Sequence, residues 1–241
     1  MLPLRDNIPH RHLPWVNCAI ITACVLVFLQ QLHDPHHHLL IDQLAFRPSF
    51  LLAHKGVYMA PARLVFFALA TMFMHGSWLH LLSNMWFLWI FGDNVEDRMG
   101  PLRYLVFYLT CGVVATAAHA GMTIMGAGAT AKALAAPMVG ASGAIAGVLA
   151  AYVRLYPRAR VLSLVPFFFI FVVEIPAVVF IFFWFGLQVV YGLAILGQGV
   201  SSGVAFWAHI GGFIAGLLLT GIFAAMPPKP QPPRVLDMHM E

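Results

Sequence analysis

Ser142 and His209 are the residues of this sequence whose type and surroundings best suit covalent chemistry. Ser142 lies in the segment GASGA (140–144), where small neighbours leave its hydroxyl accessible to a group that approaches the backbone. His209 lies at the beginning of a later apolar run, in the segment AHIGG (208–212). A serine hydroxyl within reach of an imidazole forms a nucleophile with its general base. The two residues therefore suggest a hydrolytic site.

His80 and Asn84 lie at the beginning of another apolar run. Because they are four residues apart, they share one face of a helix. Both side chains can donate hydrogen bonds, which is what a developing oxyanion needs. The glycines on either side of Ser142 would also let a carbonyl group approach the backbone N–H groups there. His80 and Asn84 are therefore candidates for an oxyanion site.

The composition places these residues in a membrane. Of all residues 61% are hydrophobic and 9% are charged, with a mean hydropathy of +0.85, whereas a globular chain has about 25% charged residues. Several apolar runs reach the roughly 20 residues that a helix needs to cross a bilayer. The formal charge of +4 is therefore not read as a signal for nucleic-acid binding, and the expected environment is the lipid bilayer.

An all-α polytopic bundle of six helical spans with a long first loop is predicted. The spans are expected at about 15–32, 76–92, 101–120, 138–156, 175–196 and 204–225. Two further apolar stretches are predicted to lie in the membrane interface or to re-enter the membrane, namely 64–74 and 161–173.

Three regions follow from this division of the chain. Residues 1–14 are predicted to be a cytoplasmic N-terminal segment, and residues 15–225 the six-span membrane domain. Residues 226–241 form a Pro-rich tail that is predicted to be cytoplasmic and disordered.

The thirteen Lys and Arg residues set the orientation of the bundle. Nine of the thirteen lie in the termini or in the loops on their side, and four lie on the opposite side, so the positive-inside rule places both termini in the cytoplasm. The expected location is a bacterial plasma membrane. Spans two, four and six then begin at the outer face, and the four polar residues lie roughly 6–12 Å below it. Polar groups at one depth, from three spans, could converge on one site.

Simpler roles remain open for several of these residues. A serine in a membrane helix often only packs against a neighbour or bonds to its own backbone, and a lone buried histidine is more often structural than catalytic. Gly143 and Gly147 are spaced for close helix packing, and so are Gly212 and Gly216. Close packing of this kind would bring spans four and six together, and with them Ser142 and His209.

A metal site is the weaker interpretation of the histidines. His75 and His80 are five residues apart, a spacing that does not share a helix face, and no carboxylate accompanies them and His209. The three cysteines lie inside apolar runs without metal-ligand spacing. No metal and no cofactor are expected.

Four motifs in order resemble those of the rhomboid family of intramembrane serine proteases, and the resemblance covers about 15–221. They are HGSWLH (75–80) with Asn84, GxxxExxxG formed by Gly92, Glu96 and Gly100, GASG (140–143), and AHxxGxxxG (208–216). The family often carries a Trp-Arg pair in the first loop, and here the corresponding spacing falls on Phe66 and Phe67.

The resemblance implies a dyad in which Ser142 attacks the scissile carbonyl and His209 takes its proton. It implies that His80, Asn84 and the Ser142 backbone N–H hold the oxyanion, and that the fifth span acts as a lateral gate. The implied substrates are single-span membrane proteins, cut near the outer face after small residues. Two alternatives remain: a non-proteolytic binder or chaperone on the same scaffold, and a transporter, which the lack of an evident inverted repeat disfavours.

Overall fold

The structure is a computed structural model that describes residues 1–9, 11–34, 39–126, 129–167, 169–196 and 204–224. Its helices, in chain order, are α1 (Trp15–His33), α2 (Leu39–Leu44), α3 (Pro61–Thr71), α4 (Trp78–Met99), α5 (Pro101–Met125), α6 (Ala131–Ala135), α7 (Ser142–Leu155), α8 (Ala177–Leu196) and α9 (Phe206–Phe223). Its strands are β1 (Leu2–Asp6), β2 (Arg160–Phe167) and β3 (Phe169–Pro176). The predicted Pro-rich tail lies outside the described residues.

Membrane-spanning helices dominate the fold, which confirms the predicted helical polytopic class. Among the described residues, four helices are long and apolar enough to cross a membrane, namely α1, α5, α8 and α9. The predicted second and fourth spans fall on α4 and α7. α4 has 22 residues but carries charges in its last turns, and α7 has only 14 residues. The count of six spans therefore stays a prediction.

The stretch 161–173, which was expected to lie in the membrane interface or to re-enter the membrane, forms strands, and its position relative to the membrane stays a prediction. It forms β2 and most of β3, an antiparallel hairpin in which Arg160 pairs with Pro176. β1 adds a third strand, with Leu2 opposite Leu164 and Asp6 opposite Val161. A short apolar run can be a strand or a helix by hydropathy alone, and here a strand about 160 residues away supplies the backbone partners.

Glu96 and Gly92 of α4 fix the position of α1. The Glu96 carboxylate accepts hydrogen bonds from the backbone N–H groups of Val16 at 3.1 Å and Asn17 at 2.7 Å. These N–H groups have no partner inside their own helix, and a negative charge at a helix N-terminus is favourable. A Cβ at Gly92 would overlap the Asn17 amide, so α1 can approach α4 only over a residue without a side chain.

Gly100 ends α4 and lets α5 begin at once. Its φ of 79° lies in the region that favours glycine. Its N–H donates to the Glu96 carbonyl at 2.7 Å, which closes the last turn of α4. Pro101 then occupies the first position of α5, where no N–H is needed.

α7 and α9 pack backbone to backbone. A Cβ at Gly147 would lie 2.7 Å from the Cβ of Cys111 and 3.1 Å from the Gly212 carbonyl oxygen. A Cβ at Gly216 would lie 2.6 Å from the Gly147 Cα. Small residues at a helix interface permit such close approach in a membrane. The first turns of α7 and α9 are thereby held side by side.

Candidate active site

Ser142 and His209 form a direct hydrogen bond. Ser142 is the first residue of α7, and His209 lies in the first turn of α9. The distance from His209 Nε2 to Ser142 Oγ is 2.8 Å. His209 is buried, with 9% of its surface exposed. The pair has the arrangement that a serine nucleophile and its general base require.

The other side of the His209 ring contacts two residues that the sequence analysis did not single out. His209 Nδ1 lies 2.7 Å from Oε1 of Gln188, a buried residue of α8. The ring of Trp184, one turn earlier in α8, lies 5.6 Å from the His209 ring, with the planes tilted by 37°. The sequence contains one indication of this role, because Gln188 is an amide inside the apolar run 177–196 and polar groups at membrane depth tend to be functional.

His80 and Asn84 face the same site from the first two turns of α4. They lie under the loop that leads into Ser142, because a Cβ at Gly140 would lie 2.6 Å from His80 Nε2 and 3.6 Å from Asn84 Nδ2. The Gly140 φ of 118° also favours glycine. Asn84 Nδ2 is buried and has no hydrogen-bond partner within the described part of the chain, so it has a donor to offer.

A cavity of about 700 Å³ connects these residues. Ser142, His209, His80 and Asn84 all line it, together with His119 of α5. Its walls include the first half of α4 and the second half of α8. The two helices are joined on the side nearer the beginning of α8, where the ring centroids of Phe180 and Phe87 lie 6.3 Å apart. The cavity lies at the end of the bundle opposite the sheet, since the loop before α7 also lines it.

His75 has a supporting place beside the cavity. Its backbone N–H and carbonyl both bond to the Gln31 amide, at 3.1 Å and 3.0 Å. Its ring lies 5.1 Å from that of His80, edge to face. Within the described ranges, no three His, Cys, Asp or Glu side chains are grouped so that they could hold a metal ion.

The loop that carries Gly140 is tied to the connection between α1 and α4. Gly140 N–H donates to the Thr71 carbonyl at 3.0 Å, and the Thr71 hydroxyl donates to the Met138 carbonyl. Phe66 and Phe67 lie on α3, and the ring of Phe67 lies 5.0 Å from that of Phe50. The Thr71 bonds thus join the segment before α7 to α3, and the contact between Phe67 and Phe50 packs α3 against the segment that precedes it.

Comparison with known proteins identifies relatives that match part of this chain. The Presenilin-associated rhomboid-like protein, mitochondrial, of Homo sapiens is 34% identical over 92 residues, which cover 38% of this chain and 23% of that protein. Its Danio rerio counterpart, protein A, is 34% identical over 88 residues, 36% of this chain and 21% of that protein. Rhomboid protein 1, mitochondrial, of Saccharomyces cerevisiae is 26% identical over 152 residues, 61% of this chain and 38% of that protein.

These relatives are therefore matched over less than two fifths of their own length. The family comparison covers more of this chain, because the Rhomboid domain matches residues 62–226, a range that contains α4, α7, α8 and α9. The chain belongs to the rhomboid family.

Proposed function

We propose that this protein is an intramembrane serine endopeptidase that cleaves single-span membrane proteins near the outer membrane face. The observation that carries the proposal is the 2.8 Å bond between His209 Nε2 and Ser142 Oγ on the wall of the cavity. Membership of the rhomboid family, whose members are usually intramembrane serine proteases, supports it.

The proposed reaction begins when Ser142 Oγ attacks the scissile carbonyl carbon and His209 Nε2 takes the hydroxyl proton. The C–N bond of the tetrahedral intermediate then breaks, and the imidazolium returns the proton to the departing nitrogen. Water, activated by the same imidazole, hydrolyses the acyl-enzyme and restores the Ser142 hydroxyl. His209 thus serves as base and as acid in turn.

The proposed oxyanion site uses three donors. Asn84 offers a buried Nδ2 that has no hydrogen-bond partner among the described residues, and His80 lies beside it on the cavity wall. Ser142 opens α7, where backbone N–H groups have no partner inside the helix and the helix dipole favours negative charge. Donors that are fixed before the reaction stabilise a developing oxyanion strongly in a site that excludes bulk water.

The proposed substrate path lies between α4 and α8. Their outer halves are separated by the cavity, while the contact between Phe87 and Phe180 holds them together further in. This opening supports the gate role that the family resemblance implies for the fifth span. A substrate helix hides its carbonyls in hydrogen bonds, so it must unwind near the cut. Substrates with Gly or Pro close to small residues at the cut are therefore favoured.

The proposed orientation puts the sheet on the cytoplasmic side and the active site near the outer face. The pairing of β1 with β2 and the bond from Arg11 N to Asp97 Oδ1 at 3.3 Å place the N-terminal segment with the end of α4 and the segment after α7. The named relatives are mitochondrial proteins, whereas the sequence analysis predicts a bacterial plasma membrane. Fractionation of the native host's membranes, followed by immunodetection of the chain, would separate these locations.

A cleavage assay tests the proposal. The purified protein in liposomes should cut a single-span reporter that carries small residues before the cut and a Gly-Pro pair in its outer half. Ser142→Ala and His209→Ala should both abolish cleavage, because nucleophile and base act as a unit. Ser163→Ala is the matched control, since the Ser163 hydroxyl bonds the Val161 carbonyl within β2, at 3.3 Å and away from the cavity, and it should keep the wild-type rate.

A fluorophosphonate probe gives an independent readout, because it reacts with an activated serine without needing a substrate helix. Wild-type protein should be labelled at Ser142 and Ser142→Ala should not. Cleavage by a folded Ser142→Ala protein would refute the nucleophile. An unlabelled, inactive wild-type protein that still binds the reporter would favour the non-proteolytic alternative.

A further inference from the structure

Gln188 links the catalytic histidine to a third helix. It lies on α8, is 8% exposed, and directs Oε1 to His209 Nδ1 at 2.7 Å. Its amide nitrogen donates to the Trp184 carbonyl at 3.3 Å. The hydrogen-bonded chain therefore runs from Ser142 on α7 through His209 on α9 to Gln188 on α8. The inference drawn from it rests on the proposed proteolytic function.

The orientation of the Gln188 amide decides which imidazole nitrogen carries the hydrogen. Because the amide nitrogen faces a carbonyl, the oxygen is the atom that faces the ring. An oxygen can only accept, so Nδ1 must be the protonated nitrogen of the neutral ring. Nε2 then has a free lone pair, and this is the atom that lies 2.8 Å from Ser142 Oγ.

We propose that Gln188 is a positioning residue that holds His209 in the tautomer and orientation required of the base. Its amide oxygen takes the place that a buried carboxylate occupies in a soluble triad, but without a charge. Trp184 supports the ring from one face, with its centroid 5.6 Å away. Without an acceptor at Nδ1 the ring can rotate or hold its hydrogen on Nε2, and in either state it cannot take the serine proton.

Among the described residues, two buried glutamines lie on spans, and the difference between them supports a functional role for Gln188. Gln31 on α1 uses its amide to bond both backbone groups of His75, which joins two segments of the fold. The amide oxygen of Gln188 instead accepts a hydrogen bond from the side chain of His209, which itself bonds the nucleophile. A buried amide in an apolar helix is costly unless it is paired, and the partner here is the proposed general base.

The test uses Gln188→Met, Gln188→Glu and Gln188→Asn in the full-length protein in liposomes. Met has nearly the shape of Gln but no acceptor, Glu restores an acceptor at the same reach, and Asn withdraws the amide by one methylene. Gln30→Met is the matched control, because Gln30 is exposed on α1. Thermal unfolding reports folding, fluorophosphonate labelling reports Ser142 reactivity, and reporter cleavage gives kcat and KM separately.

Gln188→Met should lower kcat and the labelling rate about 100-fold. Loss of the correct tautomer costs about 10⁴-fold in a soluble protease whose orienting group is a charged carboxylate, and we expect a smaller loss here because the Gln188 amide carries no charge. KM should stay within about two-fold. Gln188→Glu should recover most of the loss, Gln188→Asn should not, and Gln30→Met should match the wild type. If Gln188→Met fails to fold, the comparison between Gln188→Glu and Gln188→Asn tests the positioning role instead.

Wild-type kcat and labelling in a folded Gln188→Met protein would overturn the positioning role, as would equal losses in the Glu and Asn variants. Either result leaves the proposed proteolysis intact, provided that the wild-type protein is active and Ser142→Ala is not. An unlabelled, inactive wild-type protein would instead refute the proposed function itself. The two failures are therefore distinguishable.

Discussion

Gly212 of α9 lies directly against the backbone of Gly143 in α7. A Cβ at Gly212 would lie 2.8 Å from the Gly143 carbonyl carbon and would overlap its oxygen, and it would also lie 3.4 Å from the Cβ of Ala115. The first of these neighbours is backbone, so no side-chain rotation can relieve the clash. This contact lies one residue after Ser142 in α7 and three residues after His209 in α9, and it fixes how far apart the two helix starts lie.

Gly212→Ala is therefore expected to push α9 away from α7 and to separate His209 from Ser142. A misplacement of about 1 Å can cost about 100-fold in rate, and overpacking costs about 1–3 kcal/mol of stability. Reporter cleavage and thermal unfolding should both show the loss. Gly121→Ala is the control, because a Cβ there meets no atom of the described residues within 4 Å. A Gly121→Ala loss of the same size would mean that the Gly212 effect is not due to this contact.

Asn84 leads to a graded prediction. Its Nδ2 is buried without a partner inside the described ranges, and His80 lines the cavity beside it. Asn84→Ala should lower kcat about 10²–10³-fold with little change in KM, because removal of one oxyanion donor costs about 2.7–4 kcal/mol in a known protease. The remaining donors should keep activity above that of Ser142→Ala.

Asn84→Asp is the isosteric partner of this experiment. It keeps the shape of the side chain but replaces the donor by an oxygen that repels an oxyanion, so its kcat should be lower than that of Asn84→Ala. Saturating-substrate kinetics on both folded variants provide the comparison. A wild-type kcat in Asn84→Ala would remove Asn84 from the oxyanion site.

The helices were the predictable part of the fold, because the backbone N–H and C=O groups of each helix form their hydrogen bonds within one apolar run. α1 begins at Trp15 and α5 at Pro101, as expected from the sequence. α4 continues to Met99, past the expected end near Gly92, since Glu96 is bonded inside the protein to α1. Hydropathy alone does not show such a bond.

The sheet and the Gln188 contact were not predictable, because both depend on distant segments. β2 is an apolar run whose outer partner is β1, near the beginning of the chain. Gln188 is visible as a lone amide in an apolar helix, but its contact with His209 depends on the relative rotation of α8 and α9. Spacing within one helix says nothing about that rotation. The position of each residue along its span could predict that Ser142 and His209 lie at one depth in the membrane, but their contact depends on how α7 and α9 pack.

Asp6 ties the N-terminal strand to the helical bundle. Its Oδ2 accepts a hydrogen bond from Asn94 Nδ2 at 2.9 Å and another from the Tyr152 hydroxyl. Burial raises the pKa of Asp6 from an ordinary 3.8 to about 7, with a smaller raising effect of Asp93 and an opposing effect of the Tyr152 bond. The folded protein therefore holds this proton more tightly than the unfolded chain does.

The sign of the resulting pH dependence follows from linkage. Between about pH 4 and pH 7 the folded state binds more protons at Asp6, so its contribution to stability falls as the pH rises and is constant above about pH 7. Asp6→Asn keeps an acceptor for Tyr152 and Asn94 but cannot ionise. Its unfolding temperature in detergent should exceed that of the wild type by an amount that grows from pH 4.5 to pH 7.5.

The difference between the two proteins removes the contribution of groups that titrate alike in both, and it reports Asp6 together with its interaction with Asp93. Protection of the β1 amides from hydrogen exchange, compared between wild type and Asp6→Asn at each pH, should change in parallel with the unfolding temperature. A constant difference across the whole range, or a wild type that gains more stability than Asp6→Asn as the pH rises, would contradict a carboxyl that is buried and protonated in the docked strand.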